Sequence, residues 1–186
     1  MKTYPLLILG LTFVALAARG AFADGVGVGT IVSPMEWKVP TTGELPIAIL
    51  CQAKNQSDKE VILPIGEPIN LEFTDENGKR VGGGESIDSQ WPYTDQDYRR
   101  ILPGWSTYFS AGELSLHLEA NGLFIRGRSV RGGWITYGPF FPGKYKLKCR
   151  FRSGKIEPSE YAKKNFGAKD LWFGDILTES VDIVVK

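Results

Sequence analysis

Apolar residues recur at every second position in several short runs of this chain. Leu45, Ile47, Ile49, Cys51 and Ala53 form one such run, and Ile69, Leu71 and Phe73 a second. Tyr145, Leu147, Cys149 and Phe151 form a third, and Val181, Ile183 and Val185 close the chain with a fourth. A period of two is the mark of a strand with one buried face. Asp24–Val32 alternates too, with glycine on one face, and reads as a first edge strand; Glu60–Leu63 reads as a short strand. Trp105, Thr107, Phe109 and Ala111 alternate up to Gly112, after which Leu114, Leu116 and Leu118 carry the pattern in shifted phase. A glycine at a phase change predicts a bulge or bend. Trp134–Tyr137 is a further strand, stopped by Gly138-Pro139.

Turn chemistry separates these runs. Asn55-Gln-Ser-Asp58 is a polar turn, and Asn77-Gly78 and Asn121-Gly122 are hairpin signals, because a two-residue I′ turn needs positive φ at both central positions. Gly82–Tyr98 reads as a long polar loop. Glu157–Asn165 is the one convincing helix, with Pro158 in its first turn and Gly167 past its end. Short strands with regular turns predict an all-β, immunoglobulin-like antiparallel sandwich, with one short helix before the last strand.

The N-terminus changes the picture of where this sandwich works. Lys2 precedes an apolar run from Leu6 to Ala18, and Ala21-Phe22-Ala23 follows. That order predicts a secretory signal over residues 1–23, and a single secreted or periplasmic domain over residues 24–186. The run is shorter than the roughly 20 residues a bilayer span needs, and no later segment is apolar enough to be one. The whole chain has 22 basic and 21 acidic residues, a net charge of +1. So even a balance argues against general nucleic-acid or membrane-surface binding. An even cysteine count in an exported chain is read as a disulfide, here Cys51–Cys149. A closed loop of about 100 residues would contribute roughly 4.7 kcal/mol in the chain-entropy model. Two free buried thiols are the other reading.

Little in the chain points to catalysis. His117 is the only histidine, opposite the leucines of its strand. No nucleophile-elbow pattern accompanies it, and zinc wants several His or Cys ligands. Asp88, Asp95 and Asp97 share one loop, which reads as a solvated acidic loop or, less simply, a calcium loop. Gly25-x-Gly27-x-Gly29 lacks the strand before and helix after that phosphate binding requires. The expectation is no enzyme, no cofactor and no metal. Two surfaces stand out instead. Lys144, Lys146, Lys148, Arg150 and Arg152 form an outward row on the Cys149 strand, which Arg126, Arg128 and Arg131 extend. The row either holds a polyanion or is neutralised by acids such as Glu179 and Asp182. Tyr161, Phe166, Trp172 and Phe173 form an aromatic-rich segment, which either meets a partner or packs under its own helix.

The order Asn55-Gln-Ser-Asp-Lys-Glu-Val, Phe73-Thr-Asp-Glu-Asn-Gly-Lys, Leu102-Pro-Gly and Pro142-Gly-Lys-Tyr-Lys-Leu resembles bacterial Ig-like sandwiches, including the BsuPI-like proteinase-inhibitor family. The likeness runs roughly from Gln52 to Phe151. It implies the fold and not the inhibitory activity. That family is intracellular, and this chain carries inserts at Gly82–Ile101 and Ala120–Gly132. The functional expectation is an exported, non-enzymatic Ig-like domain that binds a protein or cell-envelope partner. A secreted or periplasmic protease inhibitor, or a polyanion- or carbohydrate-binding module, is the alternative.

Overall fold

The computed structural model describes residues 21–23, 25–40, 43–66, 69–86, 94–130, 132–153, 164–165 and 171–186. In chain order the strands are β1 (Ala21–Ala23), β2 (Val26–Ser33), β3 (Glu36–Trp37), β4 (Glu44–Asn55), β5 (Val61–Pro64), β6 (Ile69–Asp75) and β7 (Gly83–Ser86). They continue with β8 (Tyr98–Ile101), β9 (Ser106–Ser110), β10 (Glu113–Glu119), β11 (Gly122–Arg128), β12 (Trp134–Phe140), β13 (Gly143–Ser153), β14 (Gly174–Leu177) and β15 (Val181–Val185). The all-β sandwich expected from the alternation is what forms. The larger sheet runs β1-β2-β4-β10-β11-β12-β7, with β9 also on β4. The second runs β14-β13-β15-β3, with β6 on the other edge of β13, and β5 pairs with β8 as a small third sheet. Among the described residues no helix is long and apolar enough to cross a membrane.

Strand β4 is the pivot of the larger sheet. One edge takes β2 along Ala48–Asn55. The other takes β9 along Leu50–Lys54 and β10 along Glu44–Ile47. β9 and β10 are therefore one path, bent at Gly112 as the phase change predicts. Gly112 has φ +143, and a Cβ there would lie 2.1 Å from the Arg128 carbonyl oxygen. The Ser110 hydroxyl accepts from the Gly112 N–H and donates to the Gly112 carbonyl, at 3.0 and 2.8 Å.

The inner faces of the two sheets form the core. Trp37, Phe73, Tyr137, Phe140 and Tyr145 make edge-to-face contacts at one end. Phe109, Phe151 and Trp172 fill the other. Burying an aromatic of Phe size contributes about 1.5–3 kcal/mol, and ring pairs at these spacings add about 0.5–1.5 kcal/mol. Polar links also cross between the sheets. The Leu71 N–H donates to the Tyr137 hydroxyl (3.3 Å), and Thr30 Oγ1 meets Thr178 Oγ1 (2.7 Å). The Tyr145 hydroxyl closes its own corner, accepting from the Phe141 N–H and donating to the Phe141 carbonyl, both at 2.9 Å.

Several expectations change. Cys51 on β4 and Cys149 on β13 do share the core, both fully buried, but both are free thiols rather than a disulfide. A disulfide needs the two sulfurs about 2.05 Å apart, a distance these two do not reach. The thiols meet at hydrogen-bonding range. Gly138-Pro139 does not stop its strand: a register shift opposite Leu123/Ile125 carries β12 on to Phe140, which turns into the core. Asp75–Gly78 is a tight turn, with Asp75 Oδ1 accepting from the Asn77 and Lys79 N–H groups. Its return is a single bridge, Thr74 to Arg80, because the chain crosses to the other sheet as β7. The polar loop expected over Gly82–Tyr98 therefore contains strand β7 and ends where β8 begins, and the insert from Ala120 is largely β11. The turn before β11 is Ala120-Asn121, since Gly122 already pairs with Glu119. Of the expected leader only Ala21–Ala23 are described, as β1. Of the expected helix only Lys164 and Asn165 are, in helical conformation.

Candidate functional site

In antiparallel strands, residues directly opposite share a face. The outer face of the larger sheet can therefore be read from register. Pro46, Ser115, Arg126 and Thr136 make one cross-strand row. Glu44, His117 and Phe124 make a second. Glu113, Arg128, Trp134 and Ser86 make a third. From these rows Pro46, Ser115, Arg126, Glu44, His117, Glu113, Arg128 and Trp134, together with Ala48 on β4 and Ser110 and Gly112 at the β9–β10 bend, line a groove of about 550 Å³. That volume lies within the roughly 300–1,000 Å³ of small-ligand sites.

The groove's polar groups are partly tied to one another. His117 Nε2 lies 3.3 Å from Glu44 Oε2, and Arg126 Nη2 lies 2.6 Å from Glu119 Oε1. The Arg128 guanidinium sits 4.8 Å from the centre of the Trp134 ring, a contact worth about 0.5–1 kcal/mol at an exposed site. Trp134 nonetheless remains 51% exposed. The floor is set by close packing: a Cβ on Gly127 would lie 1.9 Å from the Glu113 carbonyl oxygen. The site offers guanidinium and imidazole donors, carboxylate and hydroxyl acceptors, and one broad indole. Among the described residues no three His, Cys, Asp or Glu side chains group as metal ligands.

The basic row lies elsewhere. Lys144, Lys146, Lys148 and Arg152 are exposed on β13, and Arg150 is half-buried there. Arg152 pairs with Asp175 at 2.7 Å, and Arg150 lies 3.4 Å from Glu72 and 3.8 Å from Asp175. Lys146 stands opposite Asp182. The acids paired with the row are thus Glu72 and Asp175, from β6 and β14. Arg126 and Arg128 do not extend this row, because β11 belongs to the opposite sheet; Arg131 lies outside the described residues. The aromatic segment divides as well. Trp172 is buried and stacks on Phe151 at 5.5 Å and 13°, so it is core rather than binding surface. Its backbone N–H donates to the Ile62 carbonyl at 2.9 Å. Phe173 remains partly exposed, and Tyr161 and Phe166 lie outside the described residues.

Sequence reasoning missed Trp134 and Glu44. The outward parity of Trp134, Arg126 and Arg128 was a usable signal, but which strands neighbour one another was not visible in it. No family model matches this chain, and no curated protein matches it.

Proposed function

We propose that this protein is an exported, non-enzymatic binding domain that holds a cell-envelope partner on the outer face of its larger sheet. One observation carries the reading: a half-exposed Trp134 stacks with Arg128 and lines one groove with Arg126, His117 and Glu44, across the four neighbouring strands β12, β11, β10 and β4. Binding surfaces centre on such aromatic and arginine anchors. The other two surfaces support it less, since Arg150 and Arg152 of the basic row have their own counter-ions and Trp172 is in the core. Export rests on the leader-like order of residues 1–23.

The test is retention on insoluble envelope material. Protein recovered from expression of the full chain is retained. Trp134→Ala and Arg128→Ala are expected to weaken retention at least tenfold, while Lys146→Ala and Lys148→Ala leave it unchanged. The reverse pattern sinks the proposal. N-terminal sequencing of the exported product is expected to begin at Asp24; a product that keeps Met1 and stays inside the cell would count against export.

A further inference from the structure

Given that reading of the groove as the binding face, we infer that its ligand is a neutral oligosaccharide chain. Three features of the lining argue for an uncharged, polyhydroxylated ligand. The first is charge balance. The lining carries the carboxylates of Glu44 and Glu113 against the guanidiniums of Arg126 and Arg128, beside a single imidazole. A polyanion would gain from two arginines and be repelled by two carboxylates of the same lining, and like charges facing across an interface are unfavourable. Arg126 is further neutralised by Glu119, 2.6 Å away.

The second is the mixture of donors and acceptors. A hydroxyl both donates and accepts. A lining with acceptor carboxylates on β4 and β10 and guanidinium donors on β11, with Ser115 opposite Arg126, can satisfy both roles of sugar hydroxyls. The His117–Glu44 and Arg126–Glu119 contacts hold these groups in place before a ligand arrives, which lowers the ordering cost of binding. Trp134 adds a flat apolar surface for the C–H face of a sugar ring, and Arg128 limits its motion by stacking on it.

The third feature argues against a peptide. Extended peptides commonly bind sheets by adding a strand at an open edge, where main-chain hydrogen bonds supply the affinity. The groove spans β4, β10, β11 and β12. β10, β11 and β12 are each paired on both sides, β10 by β4 and β11, β11 by β10 and β12, and β12 by β11 and β7, and β4 is paired with β10 at Glu44–Ile47. A ligand lying across these strands is recognised chiefly by side chains, as sugar hydroxyls are.

The experiment uses the same full-chain product and envelope material, treated in three ways. Periodate, which cleaves vicinal diols whatever the sugar, is expected to abolish retention. Exhaustive proteolysis of the material is expected to leave it intact. Raising salt is expected to change it less than twofold, since little charge neutralisation accompanies binding. Retention lost on proteolysis and kept after periodate overturns the inference in favour of a protein partner. Retention lost in high salt, with competition by heparin, overturns it in favour of a polyanion. In both cases the groove reading survives if Trp134→Ala still abolishes retention; if Trp134→Ala retains like the native protein, the groove reading itself falls.

Discussion

Replacing Thr178 by valine tests how the two sheets are joined. Thr178 follows β14 and is 2% exposed. Its Oγ1 accepts from the Cys149 N–H at 2.9 Å and lies 2.7 Å from Thr30 Oγ1 on β2. Thr30 is itself buried, opposite Cys51. This polar link therefore sits beside the thiol pair and ties one sheet to the other. Valine keeps the shape and removes the oxygen. The Cys149 N–H and the Thr30 hydroxyl both lose their partner, and each buried orphan costs about 1–3 kcal/mol. Thr178→Val is thus expected to destabilise the fold by about 2–6 kcal/mol. Thr30→Val leaves Thr178 bonded to the Cys149 N–H and is expected to cost only about 1–2 kcal/mol. In the double variant just the Cys149 N–H is orphaned, so its cost falls below the sum of the two single costs, by the coupling a double-mutant cycle measures. Urea unfolding with an unchanged m-value is the assay. A Thr178→Val effect under 0.5 kcal/mol, or strict additivity, would refute the reasoning.

Further expectations concern the core and the bend. A hydrogen bond with Cys149, and then burial, push the Cys51 thiol well above its ordinary 9.0, and burial pushes Tyr137 above its ordinary 10.0. The folded state then holds these protons more firmly than the unfolded state. Their stabilising effect is complete below about pH 9 and is lost as pH rises towards the folded values, so melting temperature should drop between pH 9 and 11; a flat profile there contradicts the assignment. The same protonated, buried thiols should resist alkylation in the native protein and give two reactive groups on unfolding without reductant, whereas no reactive thiol after unfolding would restore the disulfide. Gly112→Ala places a Cβ against the Arg128 carbonyl at φ +143; strain of about 1–3 kcal/mol should appear in urea unfolding, and a variant as stable as the native protein would mean the bend is not held there.

The strands were legible because inward positions repeat every two residues, and Leu45–Ala53 or Tyr145–Phe151 admit few other readings. Gly112 was legible for a similar reason, since a broken phase needs a residue that tolerates the bend. β7 was not. Four residues with two glycines carry no alternation, and only their pairing with Trp134–Tyr137 makes them a strand. Trp172 was ambiguous because Leu171-Trp172-Phe173 is a run of three apolar residues with no alternation to say which faces inward; its burial comes from Phe151, a residue distant in the chain. Both cysteines face inward as their parity requires and meet at hydrogen-bonding range, but parity cannot tell two thiols in contact from two sulfurs that are bonded. The groove depends on four strands lying side by side in the order β4-β10-β11-β12, and that order is set by tertiary packing rather than by any local run of residues.

The most direct test of the binding face is the indole N–H spectrum of the protein during titration with soluble fragments released from envelope material. The chain has five tryptophans. Trp134 lines the groove, Trp105 is 65% exposed outside its lining, and Trp37 and Trp172 are buried, Trp37 donating to the Pro34 carbonyl at 2.9 Å. The account predicts that the Trp134 resonance moves on binding while those of Trp105, Trp37 and Trp172 stay in place. Movement of Trp105 with Trp134 unchanged would contradict it.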